Sequence, residues 1–197
     1  MGLKLTGTIL FGVIVALIFG VDSPAKGQPS NIQKKAEAIS GDRFAYATFT
    51  PRGVRILAAK RPQRAMLLAI DKGLADLFAI ARSYGYTAKL RFSDYTVYIG
   101  QPDRITSANG SYSPDIAVPA GQYSGSRYDK GGYIYAAGIV ISNAGCAFLL
   151  PEYSRDFELA AEVVRFEGEH IILFHNDRPK YNATADHSRG GGHPILK

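Results

Sequence analysis

The chain has 197 residues, of which 46% are hydrophobic and 20% charged, values that are typical of a globular protein and exclude a disordered one. A formal net charge of +6 and a pI near 9.4 favour anionic partners such as lipid headgroups, acidic glycans or nucleic acid, but select none of them. The single cysteine, Cys146, excludes an internal disulfide, and its apolar neighbours predict a buried thiol.

An uninterrupted apolar run, residues 5–21, follows Lys4 at the start of the chain. A positive residue, an apolar stretch and small residues at positions 23 and 25 form the pattern of a signal peptide cleaved after residue 25. A helix of this length reaches about 25 Å, the short limit for crossing a bilayer, so a retained membrane anchor is the other interpretation. Residues 1–25 are therefore predicted to be a signal peptide or membrane anchor. Both interpretations predict an exported domain: periplasmic, secreted, or membrane-anchored and facing outside the cytoplasm.

The segment 26–42 is polar and contains proline and glycine, which indicates a linker with a helical turn at 32–39. The remaining residues, 43–197, are predicted to form a single α+β domain. Its first part, 43–58, has the short apolar and aromatic runs that are typical of extended segments.

The clearest helix is predicted over 63–83, where apolar residues recur at three- and four-residue spacing, and Gly85 provides a terminating cap. Residues 88–100 alternate in part and predict one or two strands. The next segment, 101–132, is rich in Gly, Ser, Pro and Tyr, and is predicted to be an irregular excursion with one short strand at 115–118.

The strongest strand patterns are 133–142 and 147–150, and a long apolar helix is predicted over 156–174. A polar tail, 176–197, completes the chain. These elements predict an α+β fold in which a small mixed sheet, made from residues 88–150, is packed on one face by the two main helices.

The histidines are the candidate functional residues. All four follow residue 169, at His170, His175, His187 and His193. Because imidazole is the commonest metal-binding side chain and a frequent acid or base, this cluster is where the sequence predicts chemistry.

The predicted helix carries Phe-Glu-Gly-Glu-His at residues 166–170. In a helical His-Glu-x-x-His motif, the two imidazoles bind zinc and the glutamate activates a water molecule. Glu167 and His170 match that motif, and Phe166 stands in place of its first histidine. With these residues, and with the element order from 63 to 187, the chain resembles the zincin metallopeptidases. The resemblance implies zinc as cofactor, a peptide or protein partner, Glu167 as general base, and His170 and His187 as ligands.

Phe166 cannot bind zinc, so the third ligand of a catalytic site must come from elsewhere. One alternative is Glu167 itself, because a Glu-x-x-His spacing can bind a metal from one helix. The other is that His175 or His193 folds back to the motif helix.

Interpretations without a metal remain open as well. Glu169 could pair with Arg165 across one helical turn, and His175 could complement the dipole at the end of its helix. His187 and His193 could form local hydrogen bonds in the tail.

The sequence thus favours an exported zincin-like domain that acts as a metal-binding hydrolase or as a degenerate pseudo-peptidase. The alternative is a non-catalytic structural or interaction subunit of an envelope complex, attached to the membrane by an uncleaved N-terminal segment. No nucleic-acid motif is present, so no specific nucleic acid is expected. In either case we predict that His170 and His187 approach each other, with Glu167 beside them, because an imidazole on an apolar helix face needs a polar partner.

Overall fold

A computed structural model describes residues 23–24, 30–107, 109–123, 132–187 and 190–196. The apolar run at 5–21 and the predicted cleavage position after residue 25 lie outside the described residues. Within the described residues, no helix has both the length and the apolar character needed to cross a membrane.

The helices and strands confirm the predicted α+β class. In chain order they are β1 (Ser23–Pro24), α1 (Asn31–Ser40), β2 (Tyr46–Phe49), β3 (Arg55–Ala58), α2 (Arg64–Ser83), β4 (Thr96–Gly100), β5 (Arg104–Thr106), β6 (Tyr112–Pro119), β7 (Tyr133–Ala136), β8 (Ile139–Ser142), β9 (Ala147–Pro151), α3 (Phe157–Asn176) and α4 (Arg178–Thr184). Single 3-10 turns lie at Phe92–Asp94 and Ala120–Tyr123.

The described strands form two sheets. The larger sheet is mixed and has the order β1-β2-β3-β4-β9-β8, with parallel pairing of β4 to both β3 and β9 and antiparallel pairing elsewhere. The smaller sheet, β5-β6-β7, is antiparallel. Parallel neighbours require a crossover connection, and α2 provides it between β3 and β4.

Alternation along the central strands creates two cores. On β4, Val97 and Ile99 pack with α2 and α3 on one face, whereas Tyr98 points to the opposite face. That opposite face is covered by α1 and by β6 of the smaller sheet. The prediction that the two long helices share one sheet face is therefore confirmed. The sheet also includes β2 and β3, which the sequence analysis placed outside it.

The predicted linker 26–42 requires a correction, because residues 31–40 are a packed helix of the domain. The Ser30 side chain accepts a hydrogen bond from the backbone N–H of Gln33 at 3.1 Å, and Gly41 ends α1 with a φ of +73°. Ala36 and Ile39 are buried in the second core. The helical turn predicted at 32–39 is therefore a ten-residue helix of the domain, and its few buried residues explain why the segment resembled a linker.

Two further segments contain more regular structure than their sequences indicate. The excursion 101–132 contains β5 and the eight-residue β6, where one short strand was predicted. Pro114 and Asp115 obscure β6, because both residue types are rare in strands. The tail contains α4, where Asp177 caps the N–H of Lys180 at 3.0 Å and Pro179 occupies the first turn, a position that tolerates proline.

Candidate metal centre

The C-terminal tail turns back after α4 and brings two histidines against α3. The ring centroids of His170 and His187 are 5.0 Å apart, those of His170 and His193 are 5.0 Å apart, and those of His187 and His193 are 4.6 Å apart. Each of the three imidazoles offers one ring nitrogen, and these three nitrogens all lie within 4.8 Å of one another. The predicted approach of His170 and His187 is confirmed, and His193 joins them.

Two ring nitrogens in this cluster are unsatisfied among the described residues. Nδ1 of His170 and Nε2 of His187 are buried and have no hydrogen-bond partner among the described residues. An unsatisfied buried polar atom costs roughly 1–3 kcal/mol, so a second group is expected to contact these atoms. Burial lowers the pKa of His170 to about 3, and it also lowers the pKa of His187. Both imidazoles are therefore neutral at pH 7, and each keeps a nitrogen lone pair.

The third imidazole is oriented by a buried carboxylate. Nδ1 of His193 donates a hydrogen bond of 2.6 Å to Glu169, which also accepts one of 2.8 Å from the backbone N–H of Ile195. Glu169 is fully buried on α3. Because the carboxylate occupies Nδ1, Nε2 is the nitrogen of His193 that remains available to a ligand, as in histidine ligands held by a carboxylate. The alternative pairing of Glu169 with Arg165 is wrong: Arg165 contacts Asp76 and Glu162.

Phe166 contributes packing at the position of the missing motif histidine. Its ring stacks on His193, with centroids 4.6 Å apart and ring planes 21° from parallel. The tail histidine is thus held from one side by an aromatic ring and from another by Glu169. Of the two histidines that could fold back to the motif helix, the structure brings His193 and not His175.

His175 lies near the end of α3, where its Nε2 is 3.0 Å from the carbonyl oxygen of Asn143 and 3.7 Å from the sulfur of Cys146. An N–H donor on Nε2 satisfies that carbonyl and joins α3 to the turn before β9. Cys146 is a free, buried cysteine as predicted, and burial raises the pKa of its thiol.

Glu167, His170 and His187 face a cleft of about 610 Å³ between β7, β8, α3 and α4. The cleft is lined by Glu167, His170 and His187 together with residues of those strands and of the tail. Glu167 is half-buried, and burial raises its pKa to about 8 although the backbone N–H of Val140 donates a hydrogen bond to it. A carboxyl group with this pKa exchanges a proton readily near neutral pH.

The orienting role of Glu169 was not predicted from the sequence, although two later residues of α3 indicate that Glu169 lies on the buried side of the helix. Ile172 and Leu173, three and four positions further along α3, are both fully buried. Their apolar character places Glu169 on the buried side of the helix, where a carboxylate requires a partner.

Comparisons with protein-family models, with curated proteins and with solved structures find no match for this chain.

Proposed function

We propose that this protein is an exported, metal-dependent hydrolase of the zincin type that acts on peptides, with zinc bound by His170, His187 and His193. One observation supports the proposal most directly. Three imidazoles converge, two of them have buried nitrogens without a hydrogen-bond partner in the part of the chain that the structure describes, and the third is oriented by a buried carboxylate. A purely structural histidine cluster is expected to satisfy its own ring nitrogens.

The donor set fits zinc. Zinc–nitrogen bonds of 2.0–2.1 Å place two ligand atoms of a tetrahedral site about 3.3 Å apart. The three candidate nitrogens lie within 4.8 Å of one another, so small ring rotations bring them to that separation. Three protein ligands leave a fourth position open, which is the arrangement of catalytic rather than structural zinc sites.

A metal in this position supplies a Lewis acid and lowers the pKa of a coordinated water. The chain supplies the proton acceptor, because Glu167 lines the same cleft as His170 and His187. Burial raises the pKa of its carboxyl group to about 8, so the ionised group is a stronger proton acceptor than an ordinary carboxylate. Glu167 is therefore assigned as general base, as in the zincin motif, and Glu169 as a positioning residue.

The first prediction concerns zinc binding. The wild-type protein is expected to bind one zinc ion, measured by elemental analysis after dialysis and by calorimetric titration. Replacing His170, His187 or His193 by Ala should weaken binding at least about 100-fold, because two imidazoles cannot complete a catalytic site. His175→Ala is the matched control and should bind zinc as the wild type does. Equal zinc binding by all four variants would refute the assigned site.

The second prediction separates binding from turnover. Glu167→Gln removes the proton acceptor but none of the three ligands, so it should retain zinc and lower hydrolysis of a quenched peptide library by about 10²–10⁴-fold. Turnover by the variant at the wild-type rate would contradict the role given to Glu167. A wild-type protein that binds zinc and cleaves no library peptide would favour the non-catalytic interaction subunit.

A further inference from the structure

We infer that Lys35 of α1 binds a carboxylate of the substrate, either the free carboxyl terminus of a peptide or an acidic side chain. This inference rests on the proposed function and adds a substrate class to it. It starts from the charge of the cleft. Of the described residues that line the cleft, Lys35 is the one with a permanently cationic side chain.

The ammonium group of Lys35 is held in place and has spare donors. Its Nζ donates a hydrogen bond of 2.9 Å to the carbonyl oxygen of Ile141 on β8. An ammonium group has three N–H donors, so two remain for a ligand. No carboxylate of the described residues forms an ion pair with Lys35, and the residue is exposed. The cation is therefore fixed in the cleft but not neutralised.

The neighbouring edge strand explains why a chain end or an acidic group belongs at this position. β8 is an outer strand of the larger sheet, and its open edge would otherwise offer hydrogen bonds to an extended peptide. Glu167 accepts from the N–H of Val140, and Lys35 donates to the carbonyl of Ile141. Both backbone groups are therefore already engaged by side chains, and a substrate that approaches β8 at this point meets the ammonium group of Lys35.

The acidic residues of the cleft belong to the elements that carry the proposed metal ligands. Glu167 precedes His170 by one helical turn, and Asp186 adjoins His187; both residues line the cleft. Lys35 comes from a different element, α1, and its ammonium group attracts a substrate carboxylate. The lining thus combines acids and histidines from α3 and the tail with one cation from α1.

The test uses small chelating probes on the zinc-loaded full chain. The probes are straight-chain monohydroxamates with two, four or six methylenes that end in a carboxylate, each paired with its terminal carboxamide. Calorimetry should show that, for at least one chain length, the wild type binds the carboxylate probe about tenfold or more tightly than its carboxamide. Lys35→Met should abolish that preference, and Lys35→Arg should restore much of it. Lys34→Met, one residue away on α1 and outside the lining of the cleft, is the charge-matched control and should keep the preference.

The outcomes separate the inference from the function on which it rests. If no hydroxamate of either type binds, the proposed metal centre fails. If both types bind equally at every chain length, or if Lys35→Met keeps the preference, the metal centre stands and the inference is wrong. Thermal unfolding of each variant checks that α1 remains folded.

Peptide pairs then distinguish the two sources of the carboxylate. A preference for a free over an amidated carboxyl terminus identifies the chain end, and a preference for Asp over Asn identifies a side chain. Either preference should disappear in Lys35→Met, seen as a higher KM at similar kcat. Indifference of the active enzyme to both pairs would overturn the inference.

Discussion

Close packing positions the carboxyl group of Glu167 as much as hydrogen bonding does. Gly138, in the turn between β7 and β8, faces α3 so closely that a Cβ there would lie 2.8 Å from Cγ1 of Val163 and 2.9 Å from Cγ of Glu167. Only a residue without a side chain allows this approach. The lack of a Cβ at position 138 thus allows the side chain of Glu167, the proposed general base, to occupy its observed position.

Gly138→Ala is expected to displace Glu167 and to lower peptide hydrolysis by about tenfold or more, while zinc affinity stays close to that of the wild type. Small displacements of a catalytic group have large effects on rate. Steady-state kinetics and calorimetry measure the two quantities. Gly121→Ala is the control, because a Cβ at that position meets no atom within 4 Å. A loss of zinc binding in Gly138→Ala would place the disturbance at the ligands instead.

At the residue scale, some residues of the candidate site could be predicted from the sequence and others could not. Residue type and helical spacing indicated Glu167 and His170, and the need of a buried imidazole for a polar partner predicted the approach of His187. The choice between His175 and His193 depended on where the tail folds, which is decided by Glu169 and Phe166 through contacts distant in sequence. Lys35 lies even further away along the chain, in a segment that resembled a linker.

At the scale of elements, α2 and α3 pack unusually closely because each contributes a glycine to their contact. A Cβ on Gly73 would lie 2.5 Å from the backbone oxygen of Ala161 and 2.7 Å from Cβ of Val164. A Cβ on Gly168 would lie 2.5 Å from Cδ2 of Leu77. A Cβ added at Gly73 would thus clash with the backbone and a Cβ atom of α3. A Cβ added at Gly168 would clash with the end of a flexible side chain.

Because of this difference, replacing glycine by alanine is expected to change the free energy of unfolding by different amounts at the two positions. Alanine gains about 1 kcal/mol of helix propensity over glycine at either position. Gly73→Ala should nevertheless lower the free energy of unfolding by about 2–4 kcal/mol, because the backbone of α3 cannot yield locally. Gly168→Ala should lower the free energy of unfolding by less than about 1.5 kcal/mol, because the side chain of Leu77 can change rotamer. Urea unfolding of the metal-free proteins measures both values, and an equal or reversed order would contradict this account of the contact.

The elements themselves were predictable in proportion to how much apolar surface they bury. α2 and α3 carry long apolar stripes, and both helices were predicted within a few residues of their observed ends. α1 and α4 are defined mainly by caps, and α4 has no fully buried residue. β6 was difficult to predict for a related reason. Its polar residue Asp115 is buried in an ion pair with Arg104, in which the nitrogen and oxygen atoms are 2.8 Å apart. That partner could not be identified from the strand alone.

For the molecule as a whole, the proposed centre joins the tail to the rest of the fold. Two of its three histidines belong to the tail after α4, and Ile195 anchors that tail in the main core. Metal bound to the folded chain adds stability as RT ln(1 + [L]/Kd), whereas the metal-free protein retains the unsatisfied imidazoles. The energetic role of those imidazoles can therefore be measured separately, in the presence of a chelator.

The pH dependence of stability provides this measurement. The folded pKa of His170, about 3, lies below the unfolded value of 6.5, because burial and the neighbouring His187 and His193 oppose its charge. The unfolded state therefore binds more protons between these pH values. Stability attributable to a neutral His170 is fully present above pH 6.5 and is lost as the pH falls towards 3. Glu167 acts in the opposite direction, because its folded pKa of about 8 favours the folded state as the pH falls towards 4.5.

Comparison with a variant cancels the contribution of Glu167. In the metal-free protein, the free energy of unfolding of the wild type relative to His170→Gln should decrease by roughly 1–2 kcal/mol between pH 7 and pH 5. Urea unfolding at the two pH values, with a chelator present, measures this difference. His175→Gln serves as the control, because His175 lies apart from the cluster on the carbonyl of Asn143. A wild-type advantage that stays constant or grows between pH 7 and pH 5 would show that the pKa of His170 is not lowered in the folded protein.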